Sequence, residues 1–491
     1  MSEKIVCTRF APSPTGYMHI GNLRTALYAY LLAKSNNGRF IVRIEDTDQE
    51  RLVAGAMDVI LDTLKLTGLD YDEGPGVGGN HGPYIQSQRK EIYIQYAKKL
   101  VELDKAYYCF CQKERLEKMH EENPDIGYDR HCRDLTPEEI KKHLDAKEPY
   151  VIRQKVPLTG TTTYIDENYG EISIENKELQ DQILLKTDGY PTYNFAHVVD
   201  DHLMEVTHVV RGSEYLTSTP KYVLLYDAFG WERPRYVHLP LLNGRDENGK
   251  ISKLSKRHGA VSFMDLLNEG YLPEAIINYI AFLGWSPSGM SELDENEEIL
   301  SLDELTQRFS IDGLSKSPAV FDYDKLKWFN SVYIKRMSID KFAELTVPKL
   351  KSVCPDYVNC MQLVMLLHTR VSTLNEAVDM ADFVCERLPF DRTLYNNKKN
   401  KTDPETCKDI LKCVLPVIMN CSEWTNNYLY DMFKEYCENS TYKIGALLWA
   451  IRIAVARKKI TPGGATELMV VLGKEESISR IEQAIDELEK S

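Results

Sequence analysis

The sequence contains no run of about eighteen apolar residues, and no apolar leader precedes its first strand-like stretch. Neither a membrane-spanning helix nor a secretory signal is expected, and the expectation is a soluble, unexported chain with no membrane partner. A basic excess is also missing. Sixty Lys and Arg stand against 74 Asp and Glu, a formal net charge of −14. That balance excludes a protein coated end to end in nucleic acid, and DNA is not expected as a partner. A nucleic acid held on one local basic face remains compatible. A disulfide pattern is absent too, since the eleven cysteines are scattered and odd in number. A reducing, cytoplasmic setting is expected. Repeats and low-complexity tracts are lacking, which removes solenoids and disordered chains. What is present is ordinary for a globular protein: 43% hydrophobic and 27% charged residues over 491 positions, enough for three or more domains.

Apolar strand-like runs alternate with helical segments near the start. Strands are expected at Ile5–Phe10 and Phe40–Glu45, helices at Leu23–Ala33, Val53–Leu66 and Arg89–Leu103. This alternation predicts a parallel, doubly wound α/β sheet of the Rossmann type. From about Tyr107 to Lys186 the texture shifts to charged helix and then to β-rich turns, which reads as an α+β insertion. The α/β pattern resumes at Thr207–Arg211, Thr219–Phe229 and Arg235–Leu242. Beyond Asp340 the amphipathic period is helical, at Met361–Asn375, Ala377–Glu386, Glu405–Met419 and Ile444–Arg457, with a polar linker candidate at Asn396–Lys401. The expected division is 1–106 with 187–245 as catalytic sheet and 107–186 as insertion. A lysine-loop domain follows at 246–335, then an all-helical region at 336–491, divisible at 400/401.

Two segments carry chemistry. The first is Phe10-Ala11-Pro12-Ser13-Pro14-Thr15-Gly16-Tyr17-Met18-His19-Ile20-Gly21-Asn22, between the first strand and the first helix. The opening turn of a helix offers unpaired N–H groups and a positive dipole end, an anion site. Gly21 permits close backbone approach and His19 can donate to a phosphate oxygen. The second is Gly249-Lys250-Ile251-Ser252-Lys253-Leu254-Ser255-Lys256-Arg257-His258-Gly259. Alone it reads as a solvated basic loop. Beside the first segment, its lysines suit the transient charge of a leaving pyrophosphate.

Together the two resemble the HIGH and KMSKS signatures of class I aminoacyl-tRNA synthetases. Arg9 to Gly16, Phe40 to Asp48, Asp188-Gly189-Tyr190-Pro191-Thr192-Tyr193 and Arg211-Gly212-Ser213-Glu214 narrow the resemblance to glutamyl-tRNA synthetases of the bacterial type. One departure is Asn22, where HIGH has its second His; the family tolerates it. The resemblance implies ATP with Mg²⁺, L-glutamate and tRNA(Glu) as partners of a monomeric ligase. It forms glutamyl-adenylate and then transfers the glutamyl group to the terminal ribose of the tRNA. The attacking carboxylate is already ionised at neutral pH, so positioning and charge stabilisation suffice and no general base is needed.

By the same resemblance His19, Lys253 and Lys256 are catalytic. ATP meets Pro12, Gly16, His19, Gly21, Asn22, Glu214, Lys253, Ser255, Lys256 and Arg257. Two overlapping K-x-S-K registers begin at Lys250 and Lys253; the following His258-Gly259 favours the second, and a shared role for Lys250 stays open. Glutamate would meet Arg9, Ala11, Ser13, Glu45, Tyr193, His197 and Arg211. Arg9 and Arg211 end strands and suit the side-chain carboxylate, Glu45 suits the ammonium, and Tyr193 closes the pocket. For His197 a buried structural histidine is an equal alternative. Cys109, Cys111 and Cys132 form a zinc-site candidate, weighed against buried free thiols. Cys109 and Cys111 share a strand face. The resemblance favours Tyr128 or His131 as fourth ligand over Asp134. The insertion is expected to hold the tRNA acceptor end and the helical region to read the anticodon. Arg370, placed on a helix there, resembles an arginine used near the last anticodon base.

Three alternatives are weighed. A short relative that glutamylates a tRNA base would lack an anticodon domain, whereas this chain continues in a helical pattern beyond Asp340. A glutaminyl-tRNA synthetase would carry β-barrel character where this chain is helical. A non-catalytic tRNA-binding paralogue would have lost motif lysines or pocket arginines that are retained here.

Overall fold

The computed structural model describes residues 5–122, 127–246, 248–255, 258–259, 261–287 and 295–490. The chain forms two compact units, one of Met1–Leu266 with Pro273–Tyr323, the other of Leu267–Leu272 with Asp324–Ser491. The stretch expected as a lysine-loop domain, 246–335, is therefore divided between the two.

In the first unit, strand β1 (Cys7–Phe10) leads to helix α1 (Ile20–Ser35) and returns as β2 (Arg39–Val42). Helices α2 (Ala56–Leu66) and α3 (Lys90–Glu102) follow. A small antiparallel sheet comprises β3 (Ala106–Cys109), β4 (Val151–Gln154) and β7 (Ile183–Leu185). Helices α4 (Lys113–Glu122) and α5 (Pro137–Asp145) lie between β3 and β4; β5 (Thr161–Asp166) and β6 (Gly170–Glu175) precede β7. Then come α6 (Tyr193–Leu203), β8 (His208–Gly212), α7 (Thr219–Phe229) and β9 (Arg235–Leu239).

The main sheet has the order β2-β1-β8-β9-β5-β6. All neighbours are parallel except β6, which runs antiparallel to β5. The doubly wound expectation holds. The stretch 107–186 is not a separate insertion throughout, however. Its β5 and β6 extend the main sheet, through Asp166 opposite Tyr236. Strand order reverses between β1 and β8, and the crevice at their carboxyl ends is where ligands bind in such sheets. α1 is buried nearly all round, as expected of a helix that is apolar on every face. Its Tyr28 meets Phe309 and donates to the carbonyls of Ala281 and Leu283.

The second unit is helical among its described residues, with one isolated bridge at Asn397 and Thr402 where a linker was expected. The central helix Ile444–Ala456 packs against Pro404–Met419, Asn426–Glu438, Ala465–Leu472 and Lys474–Lys490. Buried Arg480 ties this core by donating to the carbonyls of Phe383 and Val455 at 2.6 and 2.7 Å and to Glu476 at 2.7 Å.

Candidate active site

The loop after β1 runs alongside the continuation of β2. Arg43 N–H donates to Phe10 O, Glu45 N–H to Pro12 O and Val53 N–H to Pro14 O, each at 3.0 Å. Pro12 is buried with its carbonyl engaged, Ala11 and Gly16 are half-buried, and Ser13 and Asn22 are exposed. His19 caps α1, and its Nδ1 accepts the Gly21 N–H at 3.0 Å. The Ile20 N–H donates to Val261 O and the Asn22 N–H to His19 O, both at 2.9 Å. The expectation of open backbone donors at this helix end is thus corrected, because the N–H groups of Ile20, Gly21 and Asn22 are already bonded. The donor that remains is His19 itself. With Nδ1 accepting, the proton of the neutral ring sits on Nε2. Burial, then the nearby charge of Lys253, pull its pKa down and keep it neutral.

The lysine segment is a hairpin of β10 (Leu242–Arg245) and β11 (Ile251–Lys253), with Lys253 opposite Asn243. Lys250 lies in the exposed turn, its N–H on Asp246 Oδ1 at 2.9 Å; Lys253 ends the strand, also exposed. Ser255 N–H donates to His258 Nδ1 at 3.1 Å. Lys256 and Arg257 lie outside the described residues. The chain then returns directly to the first motif. Phe263 N–H donates to Met18 O at 3.1 Å, and His19 bridges to Ser262. The two motifs, remote in sequence, form one place. Glu214 stands exposed in the turn Ser213–Tyr215 that follows β8.

Beneath the crevice lies a closed ionic cluster. Arg43, fully buried, donates to Asp201 at 2.8 Å and to Glu45 Oε1 at 3.1 Å. Arg9 donates through Nε to Asp201 at 3.1 Å and through Nη1 to Val210 O at 3.3 Å. Arg89, Gln86 and Tyr93 converge on Asp200 at 2.7–2.8 Å. Burial would raise the Asp201 carboxyl, but Arg9 and Arg43 outweigh it and hold it down at about 2. Glu45 goes the other way. Burial lifts it to about 7 against the pull of Arg43 and Arg9, and its Oε2 is buried without a partner.

Arg211 differs from Arg9. It is buried, yet its direct partners are neutral: Nε donates to His238 Nε2 at 3.1 Å and Nη2 to Thr219 Oγ1 at 2.7 Å. Its Nη1 has no partner. Tyr215, Tyr222 and Tyr236 surround the guanidinium at 5.0, 4.8 and 5.7 Å. Tyr193 stacks on His197 with centroids 4.9 Å apart and feels the charges of Glu45, Arg211 and Arg9. His197 is buried, donates through Nδ1 to Tyr193 O at 2.8 Å, and is held neutral by burial and then by Arg211, down to about 3. The structure therefore brings Arg9, Glu45, Tyr193, His197 and Arg211 together. Arg43, Asp201, His238 and Asp166 were missed by sequence reasoning. Arg43 and Glu45 share a face of an extended chain, and His238 and Asp166 sit at strand ends, which are the available signals.

Away from this crevice, the sulfurs of Cys109, Cys111 and Cys132 lie within 4.8 Å of one another. Cys111 and Cys132 are 3.5 Å apart, and the Tyr128 hydroxyl is 3.2 Å from Cys109 and 3.6 Å from Cys111. Tetrahedral zinc with bonds of about 2.3 Å to sulfur and 2.0 Å to oxygen requires separations of roughly 3.5–3.8 Å; Cys111–Cys132 and Cys111–Tyr128 meet it, while Cys109–Tyr128 is shorter. His131 and Asp134 are exposed and outside the cluster. Arg370 is exposed, in the turn after the helix Cys360–Leu367, with its N–H on Leu367 O at 2.8 Å. The expectation that it lies on a helix is corrected: the helix ends three residues earlier.

Residues 5–328 match the family described as tRNA synthetases class I (E and Q), catalytic domain, and residues 341–485 match an anticodon binding domain. The chain is 53% identical to a glutamate–tRNA ligase of Clostridium botulinum and 50% identical to one of Clostridium tetani, covering 99% of each chain in both cases. It is similar in structure to a glutamate tRNA ligase from Elizabethkingia meningosepticum crystallised in complex with its amino acid. The TM-score is 0.88, with 35% identity, 99% of this chain and 100% of that one.

Proposed function

The chain belongs to the class I tRNA synthetases for glutamate and glutamine, and from that premise we propose that it is a glutamate–tRNA ligase with its specificity at Arg211. It activates L-glutamate with ATP and transfers the glutamyl group to tRNA(Glu). The observation that carries the reading is a pair of buried atoms without partners, Arg211 Nη1 and Glu45 Oε2. One is a cationic donor and the other a carboxylate oxygen. They match the side-chain carboxylate and the α-ammonium of glutamate. Glutamine shares the ammonium and lacks the anion. Arg9 lies in the same crevice with its charge compensated by Asp201; Tyr193 and His197 form the wall, and Ala11 and Ser13 the rim.

ATP lies along the first motif, with His19 Nε2–H donating to a phosphate oxygen and Pro12, Gly16, Gly21, Asn22 and Glu214 around it. Lys253, with Lys256, Arg257 and Ser255, stabilises the departing pyrophosphate; Mg²⁺ enters with ATP. Lys253, which both registers share, brings its charge within reach of His19, and the register starting at Lys253 is supported by the His258-Gly259 that follows it. No side chain needs to act as a base, because the glutamate carboxylate attacks already ionised. A structural Zn²⁺ would be held by Cys109, Cys111, Cys132 and Tyr128. It would cross-link the end of β3 to the turn at 128–132 and supply no catalytic step. The anticodon-binding match supports tRNA contact in the second unit, with Arg370 exposed for it. Such a reaction belongs in the cytoplasm, where tRNA is used.

Pyrophosphate exchange with ATP, measured with and without tRNA(Glu), tests the reading. Exchange and charging are expected with glutamate. Equal or better turnover with glutamine would overturn it.

A further inference from the structure

Asp166 ends β5 and His238 lies in the neighbouring β9, both without solvent exposure at the side chain. His238 Nδ1 is 2.6 Å from Asp166 Oδ2, which also accepts the His238 N–H at 3.1 Å. The other oxygen, Oδ1, accepts the N–H groups of Asn168 and Tyr169 at 3.0 and 2.8 Å. Both oxygens of the carboxylate are therefore saturated with donors and offer no proton to the ring. The imidazole proton must sit on Nδ1, which leaves Nε2 as an acceptor. Arg211 Nε–H can only donate, and it does so to that Nε2. The second anchor works the same way. Thr219 Oγ1–H donates to Tyr215 O at 2.8 Å, so its lone pair receives Arg211 Nη2–H.

Building on the assignment of Arg211 to the substrate carboxylate, we propose that Asp166 and His238 are positioning residues for glutamate selection. They fix the ring tautomer that accepts from Arg211, and so aim Nη1 into the pocket without a carboxylate in contact with the guanidinium.

The alternative arrangement is visible beside it. Arg9 has a carboxylate directly on its guanidinium, and its charge is matched there. At Arg211 the anion stands one imidazole away. It offsets part of the cost of burying the guanidinium while the near field stays positive for the ligand. Burial, first of all, keeps His238 below its usual range and so neutral.

Asp166→Asn tests this. An amide must set its NH₂ either against the two backbone donors of Asn168 and Tyr169 or against the one of His238, and the second, less costly choice also faces His238 Nδ1 and drives the proton to Nε2, against Arg211. The expected result is a KM for glutamate raised roughly 10–100-fold, the size of a lost hydrogen bond to a charged group, a KM for ATP within about 2-fold, and a glutamate-over-glutamine preference reduced in step. ¹⁵N shifts of histidine-labelled protein should show one neutral ring exchanging its Nδ1–H form for the Nε2–H form. His238→Gln places a carbonyl oxygen near the Nε2 position and should restore most of the affinity, with Asp166→Asn adding under about 3-fold in that background. His238→Leu, which has no acceptor, should behave like Asp166→Asn and replaces it if that variant does not fold. Equal increases in both KM values, an unchanged tautomer, or identical behaviour of His238→Gln and His238→Leu would each overturn the relay. If Arg211→Gln itself left KM for glutamate and the preference intact, the assignment of Arg211 would fall instead, whatever Asp166→Asn did.

Discussion

At the scale of single residues, Glu45 carries a conflict between stability and function. Burial lifts its carboxyl from 4.5 to about 7 in the folded protein. A raised folded pKa means that the stability owed to the neutral form is fully present below 4.5. It is lost as pH rises through about 7, because the folded state must then hold a buried anion. On the proposed assignment, ammonium binding needs that anion. The value of kcat/KM for glutamate should fall about tenfold per pH unit below roughly 7, read from initial rates between pH 5.5 and 8.5. Glu45→Gln imitates the neutral acid. It should raise the melting temperature at pH 8, leave it nearly unchanged at pH 4, and weaken glutamate and glutamine alike. Sequence showed Arg9, Glu45 and Arg211 because each ends or follows a strand near a motif. It did not show which arginine was already matched, since Asp201 reaches Arg9 from the interior of a helix far along the chain.

Among the elements, the lysine hairpin and the start of α1 behave as one piece. Lys253→Ala should slow adenylate formation by roughly 10²–10³ and raise the pKa of His19, while Lys250→Ala, in the turn, should do neither. Lys253 is common to both registers, so a pyrophosphate-exchange rate lowered as far by Lys250→Ala would show that the other register is the working one. The strand–loop–helix placement of the first motif was legible from its prolines and apolar flanks. The bonding of its N–H groups was not, because Val261 arrives from the other motif. Strands β5 and β6 fall in the stretch whose residues read as β-rich, and β5 alternates between exposed and buried positions. A period of two does not say which sheet a strand joins, and a single pairing, Asp166 with Tyr236, decides it. The helix expected over Met361–Asn375 stops at Leu367. His368 there turns its ring to the Ile334 carbonyl at 2.8 Å, a contact with another helix that local period cannot reveal. The cysteine cluster makes its own prediction: protein purified without chelator should hold about one equivalent of zinc. Cys111→Ser should lose it and melt earlier. Less than about a tenth of an equivalent, with Cys111→Ser unaffected, would leave these residues as ordinary buried thiols.

For the whole molecule, the family match spans both compact units, 5–328 and 341–485. The total charge of −14 did not forbid a nucleic-acid partner, because the composition says nothing of where charge lies. The central claim is narrower. On the proposed assignment, the enzyme separates two nearly isosteric amino acids by one buried cation, Arg211, whose direct partners are neutral. Breaking a buried charge pair costs about 3–5 kcal/mol, equivalent to roughly 10²–10⁴ in preference. The most direct measurement is the ratio of kcat/KM for glutamate over glutamine in charging tRNA(Glu), for the natural protein and for Arg211→Gln. The account predicts that the ratio collapses in Arg211→Gln while Glu45→Gln lowers both values and leaves the ratio standing. Full selectivity in Arg211→Gln, with selectivity lost in Glu45→Gln, would contradict it.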